Sequence, residues 1–148
     1  MKILPIEKIR QADAYTIDNE PISDLELMER AGGSFSKWIR RKVEKNTRIK
    51  VFCGPGNNGG DGLVVARLLA RKGYAIEAYM LRLGRELSKS TQANYERLFK
   101  MQGVRIFDIT EEDPLPEINA DELIIDAIFG SGLSRPVDGM AGSLIEHF

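Results

Sequence analysis

Residues Arg48 to Tyr74 read RIKVFCGPGNNGGDGLVVARLLARKGY, and this stretch decides the fold. RIKVFC (Arg48–Cys53) is short and mostly apolar and predicts a strand. It runs directly into GPGNNGGDG (Gly54–Gly62), where five of nine residues are glycine. Leu63 to Arg71 then has helical spacing and stops at Gly73. A strand, a glycine-rich turn and a helix in succession are the first half of a βαβ unit. Downstream, Tyr74–Leu81 predicts a second strand, Ser88–Met101 a helix stopped by Gly103, and Val104–Ile109 a third strand. Asp113-Pro114-Leu115-Pro116 reads as a surface connection. Glu122–Phe129 predicts a fourth strand, and its nearly unbroken apolar run Leu123–Phe129, interrupted by Asp126, is of the kind covered on both faces. GSGLSRPVDG (Gly130–Gly139) leads into a last helix near Ala141.

Upstream lie two helical patterns. Pro5 opens the first, with Ile6, Ile9, Ala12 and Ile17 roughly on one face. Ser23, three residues before Glu26, makes a capping-box arrangement for the second. Leu27, Ala31, Phe35, Trp38 and Ile39 continue it at helical spacing to about Lys45, and Trp38 is expected in the core. Gly32 and Gly33 inside this helix cost it about 1 kcal/mol each relative to Ala, so another backbone is expected to come close there. Strands alternating with helices predict an α/β fold. It is a Rossmann-like three-layer αβα arrangement with a mainly parallel sheet. One domain is expected over residues 1–148, with the two leading helices in 5–45 packed on or beside the α/β core of 48–148. A βα unit normally leads into another strand, so the domain is expected to be truncated at its C-terminus. The fourth strand is too apolar for an outer edge. A further strand beyond Phe148 is expected to cover it, and without that strand the chain is expected to dimerise, as a homo-oligomer, or to lose solubility.

Composition excludes several function classes. The 148 residues carry 21 basic and 22 acidic side chains, a formal charge of −1, which argues against nucleic acid or a polybasic membrane patch as partner. One cysteine and one histidine cannot build a disulfide framework or a Cys/His zinc site. There is no apolar run of membrane-spanning length and no signal-peptide pattern, and a cytoplasmic protein is expected.

Ligands bind such sheets where loops leave the carboxyl ends of the strands. Two loops have the composition for it. The first contains G-x-G-x-x-G as Gly54, Gly56 and Gly59 between strand and helix, the context of a dinucleotide fingerprint. No Lys-Ser/Thr pair follows, so it is not a P-loop. The fingerprint also lacks its acid, because the second strand ends Leu81-Arg82. Arg82 could instead meet a 2′-phosphate, which keeps an NAD(P)-dependent oxidoreductase open as an alternative. Asn57, Asn58 and Asp61 among the glycines are poised to hydrogen-bond a polar ligand or hold a cation. Asn and Asp also tolerate left-handed turns and cap helices, which is the bland alternative. In the second loop, Asp126 stands near the end of its strand. It either shares a cation with Asn58, if the first and fourth strands are neighbours, or accepts N–H groups of the following loop. Gly130-Ser131-Gly132 supplies flexible backbone, and Arg135-Pro136 a donor fork beside a rigid turn. Cys53 reads as a packed core thiol and His147 has no partner in view.

VFCGPGNNGGDGLVVARLLARKGY (Val51–Tyr74) resembles the signature of the YjeF N-terminal domain family. IIDAIFGSGLSRPVDG (Ile124–Gly139) resembles that family's second signature, and SDLELMERAG (Ser23–Gly32) is similar to its N-terminal helix. The resemblance implies an isomerase, an NAD(P)H-hydrate epimerase, which interconverts the R and S forms of NAD(P)HX, the hydrated coenzyme. NAD(P)HX is then a substrate, and no redox cofactor is implied. It implies substrate binding by Asn57, Asn58, Gly59, Gly60 and Asp61 and by Gly130, Ser131, Gly132, Leu133, Ser134, Arg135 and Pro136. It implies a potassium ion held by Asn58 and Asp126. It further implies a C-terminal ribokinase-like NAD(P)HX dehydratase domain on the same polypeptide. The family's next strand carries a D-x-P-S-G-type loop whose Asp is the expected acid/base and whose Ser completes the ion site. This sequence ends at Phe148, before that loop, so no residue here is assigned as the catalytic acid/base, and Asp61 is expected to orient substrate. Some relatives of this domain serve as non-enzymatic partner-binding modules, a further alternative.

Overall fold

The computed structural model describes residues 4–131, 133 and 136–148. In chain order these form α1 (Ile6–Asn19), α2 (Asp24–Ile39), β1 (Arg48–Cys53), α3 (Asn57–Ala70), β2 (Ala75–Leu81), α4 (Lys89–Phe99), β3 (Arg105–Ile109), β4 (Leu123–Ala127) and α5 (Gly139–His147). The strands make one parallel sheet in the order β3-β2-β1-β4. The chain steps outward from β1 to β2 and β3, then returns to pair β4 with the other side of β1. Val51 stands opposite Ala78 on one flank and Ile125 on the other.

Alternation along the strands separates two cores. Ile49, Val51 and Cys53 of β1 face α2, α3 and α4, where Ile39, Leu63, Ala66, Leu69 and Leu98 join them. Phe52 points the other way, into a smaller cluster with Tyr79, Leu81, Ile109 and α5 residues Met140, Ala141 and Leu144. Cys53 is buried, and burial pushes its thiol pKa up, as befits a packing residue. Below Phe52 on the same face, Lys50 is buried with its ammonium 2.9 Å from Glu122 and 3.9 Å from Glu77. It also donates to the Glu117 carbonyl.

Helix starts follow the sequence. Ser23 accepts from the Glu26 N–H at 3.3 Å while Glu26 accepts from the Ser23 N–H at 2.8 Å, completing the capping box. Ser88 caps α4 by accepting from the Thr91 N–H. Three expectations are corrected. First, α3 begins at Asn57, not Leu63, so most of the glycine-rich stretch is helix. Its glycines admit neighbours rather than left-handed turns, and none of them has a positive φ. A Cβ on Gly62 would lie 2.6 Å from the Ala127 side chain, and one on Gly60 2.8 Å from Met28. Second, α2 ends at Ile39, and Trp38 is 52% exposed, stacked on the equally outward Phe35. The buried stripe is Met28, Gly32, Ser36 and, as expected, Ile39. Small residues let α3 approach closely, and a Cβ on Gly32 would meet Val64 at 2.5 Å. The large apolar residues therefore end up on the outer side. Third, α1 buries none of its residues, and Ile6 and Ile9 are exposed. The fourth strand is also only partly covered: Asp126 is exposed, and Leu123 and Ile124 are half-buried. Among the described residues β4 pairs with β1 alone.

Candidate functional site

The return from β3 past β2 to the far flank of β1 makes a topological switch between β1 and β4. Loops leaving those two strands diverge, and a crevice opens above their carboxyl ends. A cleft of about 610 Å³ lies there. One wall is the start of α3, with Gly56, Asn57, Asn58 and Asp61, and the other is the chain after β4, with Phe129, Gly130, Ser131, Leu133 and Pro136. The walls are tied together: the Asn58 side-chain amide donates to the Phe129 carbonyl at 2.9 Å, and Gly130 leaves room for Asn58 beside it. Among the described residues no side chain caps α3 at Gly56, which leaves its first N–H groups without a side-chain acceptor there. Thr91 of α4 holds the Gly56 carbonyl from below at 2.8 Å.

Not every expected residue takes part in the same way. Gly59 and Gly60 are buried and do not line the cleft; they face Gly54 and Met28. Gly132, Ser134 and Arg135 lie outside the described residues. Asp126 is on the exposed side of β4, opposite Phe52 in register, and its Oδ1 accepts the Ile128 N–H at 2.9 Å. Arg82 does not serve a ligand in the way the oxidoreductase alternative required. Its guanidinium holds Asp108 through two nitrogens and lies 5.0 Å over the Tyr95 ring. The sequence reading missed five polar residues that line the cleft: Arg10 and Asp13 of α1, Arg85 after β2, Glu111 after β3 and Asp138 before α5. Arg85 and Glu111 could have been found, since they follow strands whose carboxyl ends all point to the same rim. Arg10 and Asp13 carry no local signal.

Asp61 is the electrostatically unusual group. Burial, and then the neighbouring Asp13 carboxylate, raise its pKa from 3.8 to about 6. The folded form therefore binds this proton more tightly than the unfolded chain does. Stability contributed by the neutral carboxyl is lost as pH rises from about 4 through about 6, and is level above that range. Asp61→Asn is expected to stabilise the domain at pH 8 but not at pH 4. The gain is on the order of 1 kcal/mol, less than the whole shift implies because solvent still reaches the carboxyl. Urea unfolding at the two pH values checks this, and equal gains at both would remove the assigned cause.

The sequence profile described as YjeF-related protein N-terminus matches residues 24–148. The chain belongs to this family. The match covers both walls of the cleft and leaves α1 outside. An NAD(P)H-hydrate epimerase of Rhodobacter capsulatus is 37% identical over 145 residues, covering 93% of this chain and 66% of that protein. A bifunctional NAD(P)H-hydrate repair enzyme, Nnr, of Thermofilum pendens is 32% identical, covering 99% of this chain and 28% of the relative. The crystal structure of yeast ynu0, YNL200c, superposes with a TM-score of 0.82 at 27% identity, covering 99% of this chain and 64% of that one. The chain thus spans at most about two thirds of these relatives. Family members with the same α/β fold carry further chain beyond the part matched here. Among the described residues no helix is long and apolar enough to cross a membrane.

Proposed function

We propose that this domain is the epimerase part of an enzyme that repairs hydrated nicotinamide coenzymes, interconverting the R and S forms of NAD(P)HX in the cytoplasm. The observation that carries this is the cleft at the β1/β4 switch, whose two walls are the segments that match the family. The names of the relatives supply the reaction. The length of the bifunctional relatives supports a dehydratase domain on the same polypeptide.

The chemistry asks for little more than a held ring and a proton donor. C6 of the hydrate bears the ring nitrogen and a hydroxyl. As the C6–O bond breaks, the leaving oxygen takes a proton and departs as water, and the nitrogen lone pair forms an iminium. Water then adds to the opposite face and gives up a proton, so no electrons are exchanged with a redox cofactor. A fixed ring and a positioned acid/base group account for rate enhancement of this kind. Here Asn57, Asn58 and the backbone of Gly130 and Ser131 would hold the polar edge of the substrate. Asp61, its pKa raised to about 6 chiefly by burial, would orient the ring through a hydrogen bond. The expected acid/base Asp belongs to the D-x-P-S-G-type loop implied by the family beyond Phe148.

A potassium ion fits the donor set. With its amide nitrogen given to Phe129, Asn58 has its Oδ1 free of other hydrogen bonds among the described residues. Asp126 likewise retains Oδ2 after accepting from Ile128. Oxygen donors of this kind suit a hard cation. Such an ion would supply fixed positive charge beside the bound nucleotide. In the full-length protein, (R)-NADHX is expected to be converted to the S form in a potassium-dependent manner. Asp126→Ala is expected to lower the rate about 10–100-fold and to abolish the potassium response. Oxidation of NADPH coupled to a carbonyl substrate, with no epimerisation, would overturn the proposal.

A further inference from the structure

Among the described residues two cations line the cleft, Arg10 on α1 and Arg85 after β2, and neither forms an ion pair there. Both side chains are exposed at its rim. Arg82, by contrast, is committed to Asp108. Between Arg82 and Arg85 the chain turns at Gly84, whose φ of 66° lies in the left-handed region. Through that turn Leu83 and Arg85 both reach the cleft. Four carboxylates, those of Asp13, Asp61, Glu111 and Asp138, line the same space. Among the described residues carboxylates outnumber cations here, so net charge does not draw an anion in, and a guanidinium fork in direct contact with a phosphate offsets that.

We propose that Arg10 and Arg85 are the phosphate-reading residues of this cleft, gripping the phosphate groups of the bound dinucleotide. The inference rests on the dinucleotide substrate proposed above. It goes beyond the family match for Arg10, which lies before residue 24 where that match begins. It also gives α1 a role: a helix that buries none of its own residues lends a charge to the site. Loss of either arginine leaves the phosphate facing uncompensated carboxylates, so the effect on affinity is larger than for an isolated surface contact.

The test is calorimetric titration of the full-length protein with ADP-ribose and with 2′-phospho-ADP-ribose, neither of which carries the reacting ring. Arg10→Gln and Arg85→Gln are each expected to weaken at least one ligand about tenfold, and the double variant about a hundredfold. Thermal midpoints should not move, since both side chains are exposed. A loss confined to the 2′-phosphorylated ligand supports the proposal and places the arginines on the 2′-phosphate. An equal loss for both ligands supports it and places them on the pyrophosphate. No saturable binding by the parent, or unchanged affinity of the double variant for both ligands, overturns it. In the epimerase assay the double variant is expected to raise KM while leaving kcat near the parent value. A parent that epimerises NADPHX, with KM unmoved in the double variant, overturns the arginine assignment and leaves the enzyme activity standing. A parent that binds both ligands through these arginines but does not epimerise overturns the activity alone.

Discussion

Gly59→Ala should lose about 4 kcal/mol or more of stability, a large part of what holds a domain of this size folded. A Cβ at this position would sit 1.8 Å from the Gly54 carbonyl oxygen and 2.9 Å from the Gly54 nitrogen. Both obstacles are main chain and cannot rotate away. Gly54 is equally constrained from the other side, where a Cβ would meet the Ile128 carbonyl oxygen at 1.9 Å. Three backbones thus touch at one point: the exit of β1, the first turn of α3 and the exit of β4. The Gly54 N–H donates to the Ala127 carbonyl at 3.0 Å, which closes that junction. Gly56 is the internal control. Nothing lies within 4 Å of a Cβ there, and its φ of −82° suits any residue. Gly56→Ala is therefore expected to unfold within about 0.5 kcal/mol of the parent. Urea denaturation of the two variants reads the contrast directly, and comparable stabilities would refute the three-way approach.

The second large effect concerns Lys50. Its side chain is 7% exposed and that of Glu122 3%. Burial alone would raise the Glu122 pKa, but the Asn119 N–H and the Lys50 and Arg48 charges outweigh it and hold it below its ordinary value. Lys50→Met keeps the volume but strands the carboxylate, and is expected to cost about 3 kcal/mol at pH 7. The deficit should narrow as pH falls through the ordinary carboxylate range, because the stranded Glu122 then becomes neutral while the parent loses its paired form. Adding Glu122→Gln should recover most of the loss, since the pair as a whole contributes little against neutral residues of similar shape. A Lys50→Met deficit independent of pH, or not relieved by Glu122→Gln, would assign the cost to packing instead.

Sheet class and element order were legible because the strand β1 and its glycine-rich exit are local signals. The start of α3 was not. Asn57 to Gly62 has poor helix propensity, and local reading makes it a loop. Tertiary closeness decides otherwise, because Gly59, Gly60 and Gly62 each face an atom nearer than a Cβ would tolerate. The same preference for small contact residues turned α2 and put Trp38 outside, where hydrophobic periodicity alone placed it inside. For the candidate site, both walls of the cleft were visible as motifs. Its charged rim was not, because Arg10, Asp13, Arg85 and Glu111 come from three separate elements. Arg85 and Glu111 at least follow strand ends, whereas Arg10 and Asp13 of α1 gain meaning only once that helix lies at the rim.

The hydrogen bond from Asn58 to Phe129 joins residues 71 apart in the chain. β1, α3, β2, α4 and β3 can each dock on a sequence neighbour, whereas β4 must travel back past two strands to find β1. The cleft therefore exists only when this long-range closure, with its larger loop entropy, has been made. Separating the same two segments would erase the pocket while leaving the pairing of β1, β2 and β3 intact. Any molecule that bridges them acts as a clasp, and at a hundredfold excess over its dissociation constant it would tighten the closure by about 2.7 kcal/mol. Supply of ligand then sets how often the seam stands ajar.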